Sequence, residues 1–150
     1  MRKILLLIWM LVVTMWACQP GSKPNADADT ATVTAEEINA DGCYNDKDNV
    51  ALFIHTFNRL PKNYITKNEA AALGWISQEG NLDKVAPGKS IGGDKFGNYE
   101  GLLPKQKGRQ YYECDIDYEG GRRNAKRIVF SNDGLIYYTK DHYNSFEKLY

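Results

Sequence analysis

The sequence has no net charge, little proline and no apolar run as long as the ~20 residues of a membrane-spanning helix. Its 19 basic and 19 acidic residues cancel, so net charge alone indicates no polyanionic partner. Five prolines and 13 glycines exclude a collagen-like chain, and 43% hydrophobic with 25% charged residues exclude a wholly disordered one. A length of 150 residues is that of about one domain, which excludes a multidomain enzyme.

The N-terminus has the pattern of an export signal. Arg2 and Lys3 precede an apolar stretch, Ile4 to Trp16, that Thr14 alone interrupts. This stretch is shorter than the ~20 apolar residues of a membrane-spanning helix. We therefore assign residues 1–18 to a signal peptide. It resembles a bacterial lipoprotein signal, which predicts lipidation of Cys18; the alternative is an ordinary cleaved signal.

Residues 19–40 are predicted to be a flexible linker, since they lack any apolar period. Residues 41–150 remain as one domain, with 16 basic and 15 acidic side chains. Between Lys84 and Arg127 the sequence contains ten Lys or Arg residues but only six Asp or Glu residues. This local excess is weak evidence for a phosphate-bearing ligand and is also compatible with an ordinary solvated surface.

Two cysteines, Cys43 and Cys114, lie in the domain. Cysteines of an exported domain can form a disulfide, which would join the start of the domain to a central strand. We predict this pairing, although the sequence does not show whether the two Cα atoms lie within the ~7 Å that a bridge needs.

The spacing of apolar residues predicts helices in the first part of the domain. Asp46 is a candidate N-cap for a helix with one apolar face, Val50, Phe53, Ile54 and Phe57. Thr66 and Glu69 form a capping box for a second helix, which Gly74 ends. A short third turn is predicted over residues 81–86, and glycine-rich loops follow it.

Strands are predicted next. Residues 111–118 alternate between a polar and an apolar face, which predicts a half-buried strand. Residues 127–131 and 135–139 are predicted to form a hairpin around the turn Asn132-Asp133-Gly134. A last short strand is predicted near the C-terminus. The order predicts an α+β domain, with N-terminal helices on one face of a C-terminal antiparallel sheet. The other face would then open into a cleft.

Residues on that polar face suit phosphodiester chemistry. Glu113 and Asp115 project to the same side, Arg127 comes from the next strand, and His142 follows the third. A carboxylate and a histidine can act as general base and acid while cations hold a phosphate. Taken singly, each residue has a commoner explanation: a cross-strand salt bridge for Glu113, a surface position for His142 and solvation for the pair Arg122-Arg123. The residues alone therefore indicate only a candidate phosphate-binding cleft.

Longer segments of the sequence resemble those of a known protein family. The domain resembles the barnase and binase family of microbial guanyl-preferring ribonucleases in Leu60-Pro61, residues 63–67, 72–75 and 80–82, the ten-residue string VAPGKSIGGD at 85–94, the stretches around 113–116, 123–124 and 127–128, and 141–143. The resemblance spans about 41–150 without gaps.

The resemblance implies a mechanism without metal or cofactor. Glu113 would be the general base, and His142 the general acid, in cleavage of RNA to a 2′,3′-cyclic phosphate and then a 3′-phosphate. Lys67, Arg123 and Arg127 would bind the phosphate. Three further residues would support the site: Asp115, Asp94 and Tyr143, the last beside the bound base.

The resemblance also implies a guanine-binding loop at Gly97, Asn98, Tyr99 and Glu100. Glu100 would accept hydrogen bonds from guanine, and the backbone before it would donate to O6. Tyr99 departs from the bacterial family, which has arginine there, and resembles the fungal guanyl ribonucleases, whose tyrosine stacks on the base. Gly97 and Gly134 are further departures.

The implied partners are RNA and a barstar-like cytoplasmic inhibitor, with membrane contact only through the lipid anchor. We expect a monomer, exported to the cell envelope or secreted. The alternative is a barnase-fold binding module or dormant toxin domain without turnover, which the intact set of candidate residues disfavours. A structural envelope lipoprotein is disfavoured for the same reason.

Overall fold

The computed structural model of the chain describes residues 38–150, so the predicted signal and most of the linker lie outside the described residues. Three helices and six strands follow one another as α1 (Lys47–Phe57), β1 (Tyr64–Ile65), α2 (Lys67–Ala72), α3 (Leu82–Val85), β2 (Ser90–Phe96), β3 (Tyr111–Asp115), β4 (Arg127–Ser131), β5 (Ile136–Thr139) and β6 (Glu147–Lys148). This is an α+β fold, as the sequence predicts. No helix within residues 38–150 is long and apolar enough to cross a membrane.

The helix boundaries follow from the capping residues. At the start of α1, the Asp46 side chain accepts a hydrogen bond from the Asn49 backbone N–H at 3.0 Å. The helix ends at Asn58, which is left-handed with φ 52°. The capping box of Thr66 and Glu69 opens α2 with both reciprocal bonds present, and Gly74 follows it at φ 97°.

All six strands form one sheet in chain order. Strands β2 to β6 pair antiparallel as a meander, whereas β1 pairs parallel to β2 at the edge. The sequence analysis missed β2, because Gly92 and Gly93 within it were interpreted as loop residues. The pairing of β2 with β3 shifts register between Gly92 and Asp94, so a bulge accommodates the second glycine.

The two faces of β3 differ as its alternation predicts. On one face, Cys114 and Ile128 pack with Val50 and Ile54 of α1 in the main core. On the other face, Glu113 lies opposite Val129, and Asp115 lies opposite Arg127. The strands thus separate a helix-covered apolar face from a face that carries charge.

The pairing predicted between Cys43 and Cys114 is wrong. Cys114 is a free thiol, 1% exposed, at the centre of the sheet. Burial and the neighbouring charge of Asp115 raise the pKa of this thiol well above its ordinary value. Cys114 therefore acts as a small apolar side chain of the core, held against Gly92 of the adjacent strand.

Candidate active site

Glu113 is a carboxylate buried on the charged face of the sheet, 7% exposed. Its Oε1 accepts a hydrogen bond from Lys67 Nζ at 2.7 Å, and its Oε2 accepts one from the Tyr143 hydroxyl. Burial alone would raise the pKa of Glu113, but these two donors and the charges of Lys67 and Arg123 outweigh it and lower the pKa. The carboxylate is therefore held in its ionised form.

The β-bulge positions Lys67 beside Glu113. Gly93 adopts φ 97° within the bulge, and the shifted register places Asp94 opposite Glu113. The Asp94 carboxylate accepts a hydrogen bond at 3.0 Å from the backbone N–H of Lys67, the first residue of α2. A carboxylate is favourable at a helix N-terminus, so Asp94 fixes the start of α2 over the charged face.

Asp115 holds two arginines together. Arg123 donates to it twice, from Nε to Oδ2 at 2.7 Å and from Nη2 to Oδ1 at 2.5 Å. Arg127 Nε lies 2.9 Å from the same Oδ1 but is not aimed at it, so this contact is an ion pair without a hydrogen bond. Because Asp115 is 1% exposed, the two guanidinium groups pair with a carboxylate that is shielded from water.

His142 lies in a strained turn after β5. His142 and Tyr143 have φ values of 55° and 72°, a left-handed conformation that residues with side chains rarely adopt. The turn is held by Thr139 Oγ1, which accepts from the Tyr143 backbone at 3.0 Å, and by Asp141, which accepts from Ser145. The Ser145 hydrogen bonds lower the pKa of Asp141 to about 2.

A cleft joins the histidine to the arginines. It has a volume of about 430 Å³. We call it the cationic cleft; its lining is Ser77, Gln78, Arg122, Arg123, Asn124, Ala125, Arg127 and His142. The ring of Tyr143 lies 4.7 Å from that of His142, and its hydroxyl reaches Glu113. Tyr143 thus connects the carboxylate to the histidine at the cleft edge.

The predicted guanine-binding loop follows β2. Asn98 is buried at φ 47°, and its side chain makes two hydrogen bonds with the Leu103 backbone, at 2.9 and 3.1 Å. Tyr99 is 94% exposed, and Glu100 is exposed beside it. At the base of the loop, the ring of Phe96 lies 5.1 Å from that of Tyr143, so the loop adjoins the site.

Comparison with known proteins identifies the family. A family model described as ribonuclease matches residues 47–150. A ribonuclease of Bacillus intermedius is 50% identical over 125 residues, 83% of this chain and 77% of that protein. A ribonuclease of Heyndrickxia coagulans is 56% identical over 102 residues, 68% of this chain and 94% of that protein. This chain belongs to the ribonuclease family.

A more distant relative of this ribonuclease carries a specificity in its name. The guanyl-specific ribonuclease St of Saccharopolyspora erythraea is 40% identical over 55 residues, 36% of this chain and 54% of that protein. Membership of the family implies an enzyme whose substrate is RNA.

The ribonuclease fold brings most of the predicted site residues together. Lys67 and Tyr143 both contact Glu113, and Asp115 joins Arg123 and Arg127, which line the same cleft as His142. In the predicted guanine-binding loop, which adjoins the site, Tyr99 and Glu100 are exposed to solvent.

Two contacts of the ribonuclease site were not foreseen. The sequence analysis included Asp94 and Tyr143 but predicted neither the bond from Asp94 to Lys67 nor the bond from Tyr143 to Glu113. These pairs are 27 and 30 residues apart, and no local period relates them. Within residues 38–150, no group of three or more His, Cys, Asp or Glu side chains is arranged to hold a metal ion.

Proposed function

We propose that residues 41–150 form a guanyl-preferring endoribonuclease that cleaves single-stranded RNA on the 3′ side of guanosine without a metal ion. The observation that carries this proposal is the Glu113 carboxylate, held by Lys67 and Tyr143 beside a cleft that three arginines and His142 line. A base, an acid and cations next to one another are what phosphodiester transfer needs.

Glu113 acts as the general base. Each of its oxygens already accepts one hydrogen bond, and a carboxylate oxygen has a second lone pair to accept the proton of the ribose 2′-hydroxyl. The lowered pKa of Glu113 keeps this acceptor ionised at neutral pH. The 2′-oxygen then attacks phosphorus, which restricts the reaction to RNA, since DNA lacks that hydroxyl.

His142 acts as the general acid. It protonates the 5′-oxygen as the bond from phosphorus to that oxygen breaks, which leaves a 2′,3′-cyclic phosphate. Arg123, Arg127 and Lys67 bind the phosphate and offset the charge that develops on its oxygens. In the second step the roles reverse: His142 removes a proton from water, and Glu113 returns a proton to the 2′-oxygen, giving a 3′-phosphate.

Tyr99 and Glu100 select guanine. Glu100 accepts hydrogen bonds from the base N1–H and N2–H₂, and the backbone of residues 97–99 donates to O6. The ring of Tyr99 is free to stack on the base, an interaction that contributes ~1–3 kcal/mol per base. The guanyl-specific name of the Saccharopolyspora relative supports this assignment.

Export remains part of the proposal. The signal-like residues 1–18 support secretion or attachment to the cell envelope through a lipid on Cys18. The resemblance to the barnase family supports a cytoplasmic inhibitor similar to barstar as a partner, and the enzyme itself is proposed to act as a monomer.

The test is cleavage of a short RNA that contains one guanosine, by residues 41–150 in the presence of a chelator. We expect a single cut 3′ of guanosine and a cyclic phosphate end. His142→Ala and Glu113→Gln should each reduce the rate by at least about 100-fold, the usual contribution of general acid–base catalysis.

Each other outcome has a distinct meaning. Cuts at all bases would retain the mechanism and reject the guanine-binding role of Tyr99 and Glu100. Restoration of activity only by added metal would reject the metal-free mechanism. Binding of RNA by the folded protein without any cleavage would reject the enzyme and favour the alternative binding module.

A further inference from the structure

The hydroxyl of Thr139, the last residue of β5, joins the sheet to the turn that carries the proposed general acid. It donates to Asp141 Oδ1 at 2.9 Å and accepts the backbone N–H of Tyr143 at 3.0 Å. Thr139 is 1% exposed, so water does not compete for either hydrogen bond. The proposed reaction assigns no role to Thr139 or to Asp141.

The carboxylate of Asp141 determines the direction of the Thr139 hydroxyl. A hydroxyl has one proton to donate and two lone pairs that accept, whereas an ionised carboxylate can only accept. Hydrogen bonds from Ser145 lower the pKa of Asp141 to about 2, so this carboxylate remains ionised in mildly acidic solution. The Thr139 proton is therefore directed to Asp141, and a lone pair is left for the Tyr143 N–H.

The turn needs this hydrogen bond because its backbone is in a disfavoured conformation. His142 and Tyr143 have φ values of 55° and 72°, which residues with a side chain rarely adopt. The backbone N–H of His142 donates to the Ala125 carbonyl at 3.1 Å. The bond from Tyr143 to Thr139 is its counterpart at the next residue, and the two bonds together fix both left-handed residues.

A change in this turn reaches Glu113 through the side chain of Tyr143. The Tyr143 hydroxyl, which donates to Glu113 Oε2, lies at the end of the side chain farthest from the backbone. A small rotation at the Tyr143 Cα therefore displaces the hydroxyl more than any other atom of the ring. The ring of Phe96 lies 5.1 Å from that of Tyr143, but such apolar contact is not directional and does not fix the hydroxyl.

The other polar neighbours of Glu113 come from other parts of the fold. Lys67 of α2 donates to Oε1, Arg123 acts through its charge, and Asp94 of β2 lies opposite in the sheet. The contact from the turn after β5 is that of Tyr143. We propose that Thr139 and Asp141 are positioning residues for the proposed reaction, which keep the Tyr143 hydroxyl directed at the general base Glu113.

The inference rests on the proposed function, but its first test does not require activity. Thr139→Val replaces the hydroxyl by a methyl group and keeps the branched shape. The pKa of the Glu113 carboxyl group, followed by carbon-13 NMR in the folded protein, should rise because the Tyr143 donor is no longer held in place. Thr139→Ser keeps a hydroxyl and should restore the wild-type titration.

The kinetic test is the pH profile of kcat/KM for the dinucleotide GpA. On the acidic limb, Thr139→Val should lose roughly threefold more activity than it loses at pH 7, the effect of weakening one hydrogen bond. In Tyr143→Phe no hydroxyl remains to be positioned. Adding Thr139→Val to that variant should therefore change neither the profile nor the Glu113 titration further.

Asp141→Ala tests the second residue of the pair through the sign of the change. Removing a negative charge would by itself lower the pKa of Glu113, because a like charge disfavours an ionised carboxylate. Loss of positioning has the opposite effect, so we expect the pKa of Glu113 to rise. A fall would overturn the role of Asp141.

Ser131, the last residue of β4, provides a matched control. Its hydroxyl donates to Asp133 at 2.5 Å and accepts the Leu135 backbone N–H at 2.9 Å, so the same bonds recur at the same spacing. The turn that they hold carries no residue of the proposed reaction. Ser131→Ala should therefore leave the Glu113 titration and the pH profile at their wild-type positions.

Two outcomes would overturn the inference. One is a Glu113 titration in folded Thr139→Val that coincides with those of the wild type and Ser131→Ala. The other is a rise that keeps its full size in the Tyr143→Phe background, because Thr139 would then act by another route. Failure of the wild type to cleave GpA would instead reject the proposed function, and the NMR titrations would still decide the inference.

Discussion

The Tyr143 hydroxyl is, after Lys67, the second hydrogen-bond donor that lowers the pKa of the Glu113 carboxyl group. It donates to Oε2 of the ionised form, and such a bond lowers the pKa of a carboxyl group. Tyr143→Phe removes the donor and raises the pKa of Glu113. We expect the acidic limb of the kcat/KM profile to move to higher pH, so that the variant loses more activity at pH 5 than at pH 7.

The control for this prediction is Tyr138→Phe. Tyr138 is half-buried and packs against the core on the α1 face, away from Glu113. Its pH–rate profile should overlay that of the wild type. A loss of activity in Tyr143→Phe that is the same at every pH would show that the hydroxyl acts elsewhere than on Glu113 ionisation.

A single site residue could be predicted from the sequence where its position in a strand determines the face of the sheet on which its side chain lies. The alternation of β3 places Glu113 and Asp115 on one face, as the structure shows. The contact of Tyr143 with Glu113 depends instead on the left-handed turn at His142 and Tyr143. No propensity predicts positive φ at two consecutive residues with side chains, so this contact was not foreseeable.

Among the helices and strands, the sequence predicted correctly those that begin at a capping residue or adjoin a strong turn motif. Asp46, the Thr66 capping box and the Asn132-Asp133-Gly134 turn each lie where the sequence places them. Strand β2 was missed because Gly92 and Gly93 lack side chains, so the alternation that identifies a strand is absent there. The pairing of β2 with its neighbours, rather than its own propensity, makes it a strand.

The bulge of β2 gives a prediction for Gly93. Its φ of 97° disfavours any side chain, although a Cβ would meet only ordinary contacts at 3.5 and 3.8 Å. Gly93→Ala should therefore lower the free energy of unfolding by about 1–2 kcal/mol, the cost of a left-handed residue. It should also lower kcat/KM, because the bulge places Asp94 and hence Lys67 beside Glu113.

Gly134→Ala separates these two effects. Gly134 has the same φ of 97° and open space around it, but it lies in the hairpin between β4 and β5. Both variants should lose similar stability in urea denaturation, and only Gly93→Ala should lose activity at a temperature where both are folded. Equal activities in the two variants would contradict a role for the bulge in positioning Lys67.

The site residues of the whole molecule lie between positions 67 and 143 and come mainly from α2, β3, β4 and the turn after β5. The site therefore forms only when the sheet is complete. Glu113, Asp115 and Arg127 are each buried, and the core clusters on both faces of the sheet hold them in place. This arrangement links catalysis to folding. Ionisable groups that serve the reaction also contribute to the pH dependence of global stability.

Glu113 provides the test of that link. Its pKa in the folded protein is below the ordinary 4.5, so its contribution to stability is present above that pH and is lost as the pH falls through the folded-state pKa. We expect the free energy of unfolding of the wild type to fall as the pH is lowered below the ordinary 4.5 and through the lower folded-state pKa. In Glu113→Gln this fall should be smaller, although the variant is less stable at neutral pH because it loses the ion pair with Lys67.

Glu100→Gln is the matched control, since that carboxylate is exposed and has no ion pair in the described part of the chain. Its stability should follow the wild-type dependence on pH, measured by urea denaturation at each pH. Parallel curves for the wild type and Glu113→Gln would contradict the argument. The stability of the fold at low pH would then depend on other carboxylates whose pKa is lowered, among which Asp141 titrates at about 2.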